Sequence, residues 1–290
     1  MKTIVVTDNG SGFKNEEIKQ LGIKVIPLRF FIDEIEYKND DLVSDADFFE
    51  KINLANTIST SQPTIADVEE TFNELLKEYD NILYIPMSSG LSGTYDTGIS
   101  IEKDFFGRVF TVDAKKISVL QKFVVLDALD MIKKGIAAKE IKNILEKNNK
   151  NSSIYIMVDT LDFLKKGGRV SPFVATLGNL LQIKPIMFSD GGPFEVEKKE
   201  RTVKKAKEKM IELIENDMKG KFANVDPSLY SLGVAYTSNV DWAYDLRDSI
   251  KEKFGEFSRE IPVDPLAKFV SCHIGPNAIG VAIYKNLNEN

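Results

Sequence analysis

Four short stretches of this chain gather side chains able to hold or transform an anionic group. Ser59-Thr60-Ser61-Gln62-Pro63 places three hydroxyls and a carboxamide between two helical patterns. These groups either orient a ligand anion or close a turn while Thr64 caps the next helix. Ser88-Ser89-Gly90-Leu91-Ser92-Gly93-Thr94-Tyr95 follows an apolar run. Its glycines let backbone N–H groups approach a ligand, and a helix starting after it adds its positive end. The same content also makes an ordinary glycine turn. Leu164-Lys165-Lys166-Gly167-Gly168-Arg169 stops a helix and then presents an arginine, which holds an anion bidentately, meets a partner protein or stays solvated. Cys272-His273-Ile274-Gly275-Pro276-Asn277 puts the chain's one histidine beside a Gly-Pro turn. That setting suits a loop near a site, and it equally suits a satisfied, half-buried ring.

These residue types also limit the chemistry. With one histidine and one cysteine, two-histidine mechanisms, cysteine-rich zinc sites and intrachain disulfides are excluded. The glycine–serine stretch lacks the lysine-ending spacing of a nucleotide P-loop and the Gly-x-Ser-x-Gly nucleophile elbow. A serine hydrolase built on Ser92, His273 and an aspartate such as Asp113, acting on acyl esters, is the alternative kept from a different class. Asp8, Asp113 and Asp159 stand near strand ends, far apart and without supporting histidines, and read as caps of helices or turns. No metal site is expected.

The elements that would carry these stretches alternate. Residues 4–6, 23–31, 81–86 and 108–112 read as buried-type strands. Ser44 with Asp47, and Thr64 with Asp67, start helices over 44–55 and from 64 onward. Residues 87–98 read as a loop, and 117–134 and 138–147 as helices. After the polar run 148–153 come strands at 154–158, 183–188, 194–198, 232–236 and 279–285. Helices are expected at 161–166, 172–181, 202–218 and 240–254. Asp190-Gly191-Gly192 marks a hairpin. The pattern implies α/β layering around a largely parallel sheet. It divides into two α/β domains, 1–152 and 153–290.

The composition agrees with that class. The 290 residues are 43% hydrophobic and 28% charged, ample apolar material for a folded core. The longest apolar stretches, such as 123–126 and 154–158, fall far short of the roughly 20 residues a membrane-spanning helix needs. The net charge is −6, and glutamates break up the lysines between 198 and 209, so nucleic acid is not an expected partner. The apolar run at residues 4–6 is too short for a signal peptide, and a reducing cytoplasm is the expected location.

Taken together and in order, the four stretches resemble the DegV family of bacterial fatty-acid-binding proteins. The resemblance extends through Thr7-Asp8 and Leu180-Leu181-Gln182-Ile183-Lys184-Pro185-Ile186 to His273-Ile274-Gly275-Pro276, essentially the whole chain. It implies two α/β domains with the ligand site between them, and a lipid-binding carrier rather than an enzyme. Such a protein holds a long-chain fatty acid, its only bound group, and presents the carboxylate to a separate ATP-dependent fatty acid kinase. The acyl phosphate formed enters phospholipid synthesis, and membrane contact is at most transient. By resemblance, Thr60 and Ser92 contact the carboxylate, with Ser61 and Gly93 beside them. His273 belongs to the network behind it, and Arg169 to that network or to the kinase-facing surface. Phe163, Leu164, Phe173, Val174, Leu177, Leu180, Leu181, Ile186 and Phe188 are candidates to line the tail, or equally to be ordinary core. Asn277 stands where the family has a glycine, and Ile274 where it often has a small hydroxyl residue. Asparagine tolerates left-handed dihedrals, which keeps the turn feasible.

Overall fold

The computed structural model describes residues 1–177, 182–223, 225–226, 229–255, 257 and 259–287. The chain opens with β1 (Thr3–Asp8), α1 (Asn15–Leu21), β2 (Lys24–Ile26), β3 (Arg29–Ile32) and β4 (Ile35–Tyr37). It continues through α2 (Asp45–Leu54), β5 (Ile58–Ser61), α3 (Ile65–Leu75), β6 (Asn81–Ile85), α4 (Thr94–Glu102) and β7 (Val109–Thr111). Next come α5 (Val119–Lys133), α6 (Ala138–Lys147), β8 (Ser152–Met157), α7 (Asp162–Lys166) and α8 (Pro172–Thr176). The last part holds β9 (Lys184–Ser189), β10 (Glu195–Glu200), α9 (Val203–Lys219), β11 (Tyr230–Tyr236) and α10 (Val240–Phe254). It ends with β12 (Val263–Pro265), α11 (Lys268–Ile274) and β13 (Ile279–Lys285).

Two sheets dominate, and only one is parallel. Strands β2-β1-β6-β7 form a four-stranded sheet with every pairing parallel. The six-stranded sheet runs β10-β9-β8-β13-β11-β12, antiparallel except for β11 with β12. The expectation of a largely parallel sheet, drawn from the alternation in the first half, holds for its four-stranded sheet but not for the small antiparallel sheet of β3, β4 and β5, and the six-stranded sheet is mostly antiparallel. The reason is connectivity. Asp190-Gly191-Gly192 turns β9 straight back into β10, and a short return permits only antiparallel pairing. The expected boundary at 152/153 falls one residue inside β8.

Strand alternation sorts the core into layers. Ile4, Val6, Ile82 and Tyr84 face α3 and α4 through Val68, Phe72 and Ile101. Val5, Leu83 and Ile85 face the other way, into the core built around α5. That core also takes Ile154, Ile156, Ala282 and Tyr284 from the six-stranded sheet. The far face of that sheet, with Tyr155, Met157, Leu232 and Val281, packs on α9 and α10. Helix α5 thus lies between two sheets, which is why its face pattern is weak and most of its residues are buried.

Local rules account for many element starts. Ser44 accepts from the Asp47 amide to open α2, and Thr64 with Asp67 makes the full capping box of α3. Other expectations needed correction. The stretch 23–31 is two strands in two sheets, split at Pro27, which lacks the N–H a continuous ladder needs. Ser59 to Ser61 is not a turn but part of β5, in a small sheet of order β4-β3-β5. The loop expected over 87–98 ends early, because α4 begins at Thr94. The helix expected over 172–181 stops at Thr176 as Leu177 turns extended, and 178–181 lie outside the described residues.

Candidate functional site

The small sheet, the glycine–serine loop, the Arg169 segment and α11 converge on one cavity of about 320 Å³. Its apolar wall comes from Leu28, Met87, Leu91, Ile117, Leu164, Phe194, Phe269, Val270 and Ile274. Its polar wall comes from Thr60, Ser61, Gln62, Ser92, Gly93, Arg169 and His273. The volume lies at the lower end of the roughly 300–1,000 Å³ typical of small-molecule sites.

The polar groups touch one another in sequence. Thr60, on β5 opposite Phe30 of β3, brings its Oγ1 to 2.7 Å from His273 Nε2. His273 lies in the last turn of α11, not in a loop as its neighbours Gly275-Pro276 suggested. Its ring packs on Gly167, where any Cβ would collide with Nδ1, so only glycine fits. Arg169 donates from one terminal nitrogen to the Gly167 carbonyl, and from Nε to the Leu91 carbonyl at 3.2 Å. Ser92 follows Leu91 and shares a 2.8 Å hydrogen bond with Thr94 at the start of α4. Gly93 abuts the Gln62 carboxamide so closely that a side chain there would displace it. The cavity therefore has hydroxyls, a guanidinium and the start of α4 in its lining, groups able to hold an anion.

The charge balance of this cluster is its main electrostatic feature. Arg169 has no carboxylate within ion-pair distance among the described residues; it donates to two carbonyls. Burial lowers its pKa below the ordinary arginine value. Burial, then Arg169, pushes the His273 pKa down to about 4, so the ring is neutral near pH 7. The site thus offers one positive charge and neutral hydrogen-bonding groups.

Every residue assigned to the head group by sequence, Thr60, Ser61, Ser92, Gly93, Arg169 and His273, borders the cavity. The tail candidates divide. Leu164 lines the same cavity. Phe163 packs its ring on Gly275 and borders a separate cavity of about 210 Å³ on the other side of His273. Leu177 is partly buried against the α5 core and is not among the lining residues. Phe173 is 71% exposed on α8 and does not line it. Ile186 is fully buried on the opposite face of the six-stranded sheet, among the side chains that pack on α9. Strand alternation sent it there, since β9 residues one apart face opposite cores. Leu181 lies outside the described residues. Most of the apolar wall was not foreseen. One signal was available: Phe269, Val270, His273 and Ile274 keep the i, i+4 spacing of a helix face. That pattern appears only once 268–274 is taken as a helix.

The hydrolase alternative finds no triad. His273 pairs with Thr60, Ser92 with Thr94, and Asp113 with Ser89 and Lys115. Asp113 accepts from Ser89 Oγ at 2.7 Å and lies 2.9 Å from Lys115 Nζ. Asp8 and Asp159 are also occupied: Asp8 takes the Gly10 and Met87 amides, and Asp159 pairs with Lys184. Among the described residues, no three His, Cys, Asp or Glu side chains gather to hold a metal ion. No described helix is long and apolar enough to cross a membrane. Asn277 adopts φ 56°, so the turn after His273 keeps the left-handed residue that a glycine would otherwise supply.

Fold and cavity together define an α/β protein of two main sheets and one small one, with a cavity lined by both apolar and polar side chains. The chain belongs to the DegV family: the profile described as "Uncharacterised protein, DegV family" matches residues 2–286. A DegV domain-containing protein of Clostridium acetobutylicum is 31% identical over 99% of both chains. Another from Staphylococcus aureus is 30% identical, over 98% of this chain and 99% of its own. Among solved structures, a DegV family protein from Thermus thermophilus described as fatty acid binding superposes with a TM-score of 0.89. It is 27% identical, with 98% of this chain and 100% of that one covered. DegV from Bacillus subtilis, described as a fatty acid binding protein, is 28% identical with a TM-score of 0.84 over 98% and 99% of the two chains.

Proposed function

We propose that this protein binds a long-chain fatty acid and presents its carboxylate to a separate ATP-dependent fatty acid kinase, which forms the acyl phosphate. It works as a cytoplasmic carrier supplying phospholipid synthesis, without cofactor or nucleic acid, and touches membranes only transiently. The observation that carries this reading is Arg169: a guanidinium whose partners among the described residues are carbonyls, lining a chamber also lined by Thr60, Ser92 and a neutral His273. A carboxylate supplies the missing negative charge and accepts from the surrounding donors. The Thermus thermophilus and Bacillus subtilis relatives, both described as fatty acid binding, support the same ligand class.

The energetics divide the labour. Burying a tail of about sixteen carbons gains on the order of 12 kcal/mol gross, at ~0.8 kcal/mol per CH₂. Each hydroxyl or guanidinium contact to the carboxylate nets about 1–3 kcal/mol. The tail supplies most of the affinity, and the polar wall decides which end faces outward.

Native mass spectrometry of the protein purified from bacteria tests the carrier reading. The expected result is a co-purified fatty acid of definite mass, exchangeable with added fatty acid. Protein that carries none and takes none up overturns it. The kinase step is tested separately: acyl phosphate should form only when ATP, fatty acid, this chain and a bacterial fatty acid kinase are combined. Acyl phosphate formed without the kinase overturns the division of roles.

A further inference from the structure

Helix α11 carries His273, and five of its seven residues, Phe269, Val270, Ser271, Cys272 and Ile274, are buried. Phe269, Val270, His273 and Ile274 border the ligand chamber. Lys268 and Ser271, elsewhere around the helix, border a groove of about 640 Å³ between the two halves. Packing buries the middle of the helix, and polar ties at its N-terminal end add to what sets its position.

One such tie runs from the chamber wall to the start of α11. The Leu28 amide, behind a side chain that lines the chamber, donates to Asn9 Oδ1 at 2.9 Å. Asn9 Nδ2 donates to Asp40 Oδ1 at 3.3 Å. The other Asp40 oxygen accepts from the Lys268 amide at 2.9 Å, and Lys268 Nζ reaches the Asp40 carbonyl at 3.0 Å. We propose that Asp40 is a positioning residue for the acid-binding end: through Asn9 and Lys268 it fixes α11, and so sets the His273 ring against Thr60. Asp40 itself does not line the chamber. Its carboxyl is half-buried, and burial raises its pKa above the usual carboxylate value, opposed by Lys268 and reinforced by Asp41 and Asp45. The binding part of this proposal rests on the carrier reading; the position of the ring does not.

His273 is the only histidine, so its imidazole gives a single, assignable NMR titration. The groups that face it are Thr60 and Arg169, with Asp162 and Lys166 around the neighbouring cavity. Asp40→Ala should move its midpoint up from about 4 toward the ordinary ~6.5 as the ring gains water. The same change should lower affinity for a long-chain fatty acid about tenfold, while the alcohol of equal length changes less than about twofold. Asn9→Ala, which cuts the tie one link earlier, should shift both readouts the same way by about threefold in affinity. An unchanged titration in both variants, or equal losses for acid and alcohol, overturns the proposal. If Asp40→Ala does not fold, Asn9→Ala decides by the same two readouts. If the unaltered protein takes up no fatty acid, the carrier reading fails, while the titration still decides the role of Asp40.

Discussion

Two polar clusters share one loop, and they differ in a single respect. Ser89, near its start, joins Asp113 and Lys115, where carboxylate and ammonium lie 2.9 Å apart and the serine bridges them. Ser92, three residues on, borders the chamber with Thr60, His273 and Arg169. The first cluster is electrically closed, since its positive group already has a negative partner. The second is open, because its guanidinium meets only carbonyls among the described residues. Each takes a serine from the loop that follows parallel strand β6. Only the open one leaves a ligand something to complete.

The largest effect should come from replacing the unmatched charge. Arg169→Met should weaken fatty acid binding about fiftyfold, within the range for hydrogen bonds to charged groups. Calorimetric titration checks it, and a change below twofold would remove the charge argument.

Second in size is a stability effect at acid pH. The folded His273 pKa, about 4, lies below the ordinary value near 6.5. As pH falls through that window the unfolded chain binds a proton that the folded chain resists, so stability drops. The full shift corresponds to about 3 kcal/mol, reduced to about 2 kcal/mol by the ring's residual contact with water. Asp8 acts in the opposite direction: burial lifts its carboxyl to about 6, so the folded state gains from its protonation below that pH. The two nearly offset in the parent, so His273→Gln, which removes the loss and keeps the Asp8 contribution, should grow more stable relative to the parent as pH falls from 7 to 4.5. Urea unfolding at pH 7, 5.5 and 4.5 measures the difference, and parallel curves for variant and parent would contradict it.

Thr60→Ala comes third. Removing one hydroxyl contact should cost about fivefold in affinity. Turnover by the kinase should fall further, because the head group loses its orientation while the tail stays buried. Equal large losses in both would count against that division. The smallest effect belongs to the closed cluster: Lys115→Ala should alter fatty acid affinity less than twofold, since its ion pair is partly exposed and serves no ligand. A loss matching that of Arg169→Met would erase the distinction between the two clusters.

Much of the first half was legible residue by residue. Ser44 and Thr64 started their helices where the capping pattern said, because a cap is a contact across only three residues. The helix at 138–147 and the strand at 279–285 matched their patterns in extent. Failures came where the partner lies far along the chain. Ile58 to Ser61 has little strand character alone and becomes β5 by pairing with β3. Residues 268–274 showed no helix signal strong enough to note, and α11 has no side-chain cap. Helix α1 also went unforeseen, although Gly22 ends it in a left-handed cap.

The chain by itself marked the polar residues that border the cavity: hydroxyls, glycines, Arg169 and the lone histidine stand in four short runs whose chemistry is local. It also determined that two α/β halves would form, because apolar periodicity is written in neighbouring residues. Only the tertiary structure decided that Thr60 meets His273 across 213 positions, that Arg169 meets no acidic partner among the described residues, and that Ile186 turns to the other core. Those outcomes depend on which face of a strand meets which layer, and on which charges end up neighbours. Both are set by packing between distant segments, and no short stretch of sequence encodes them.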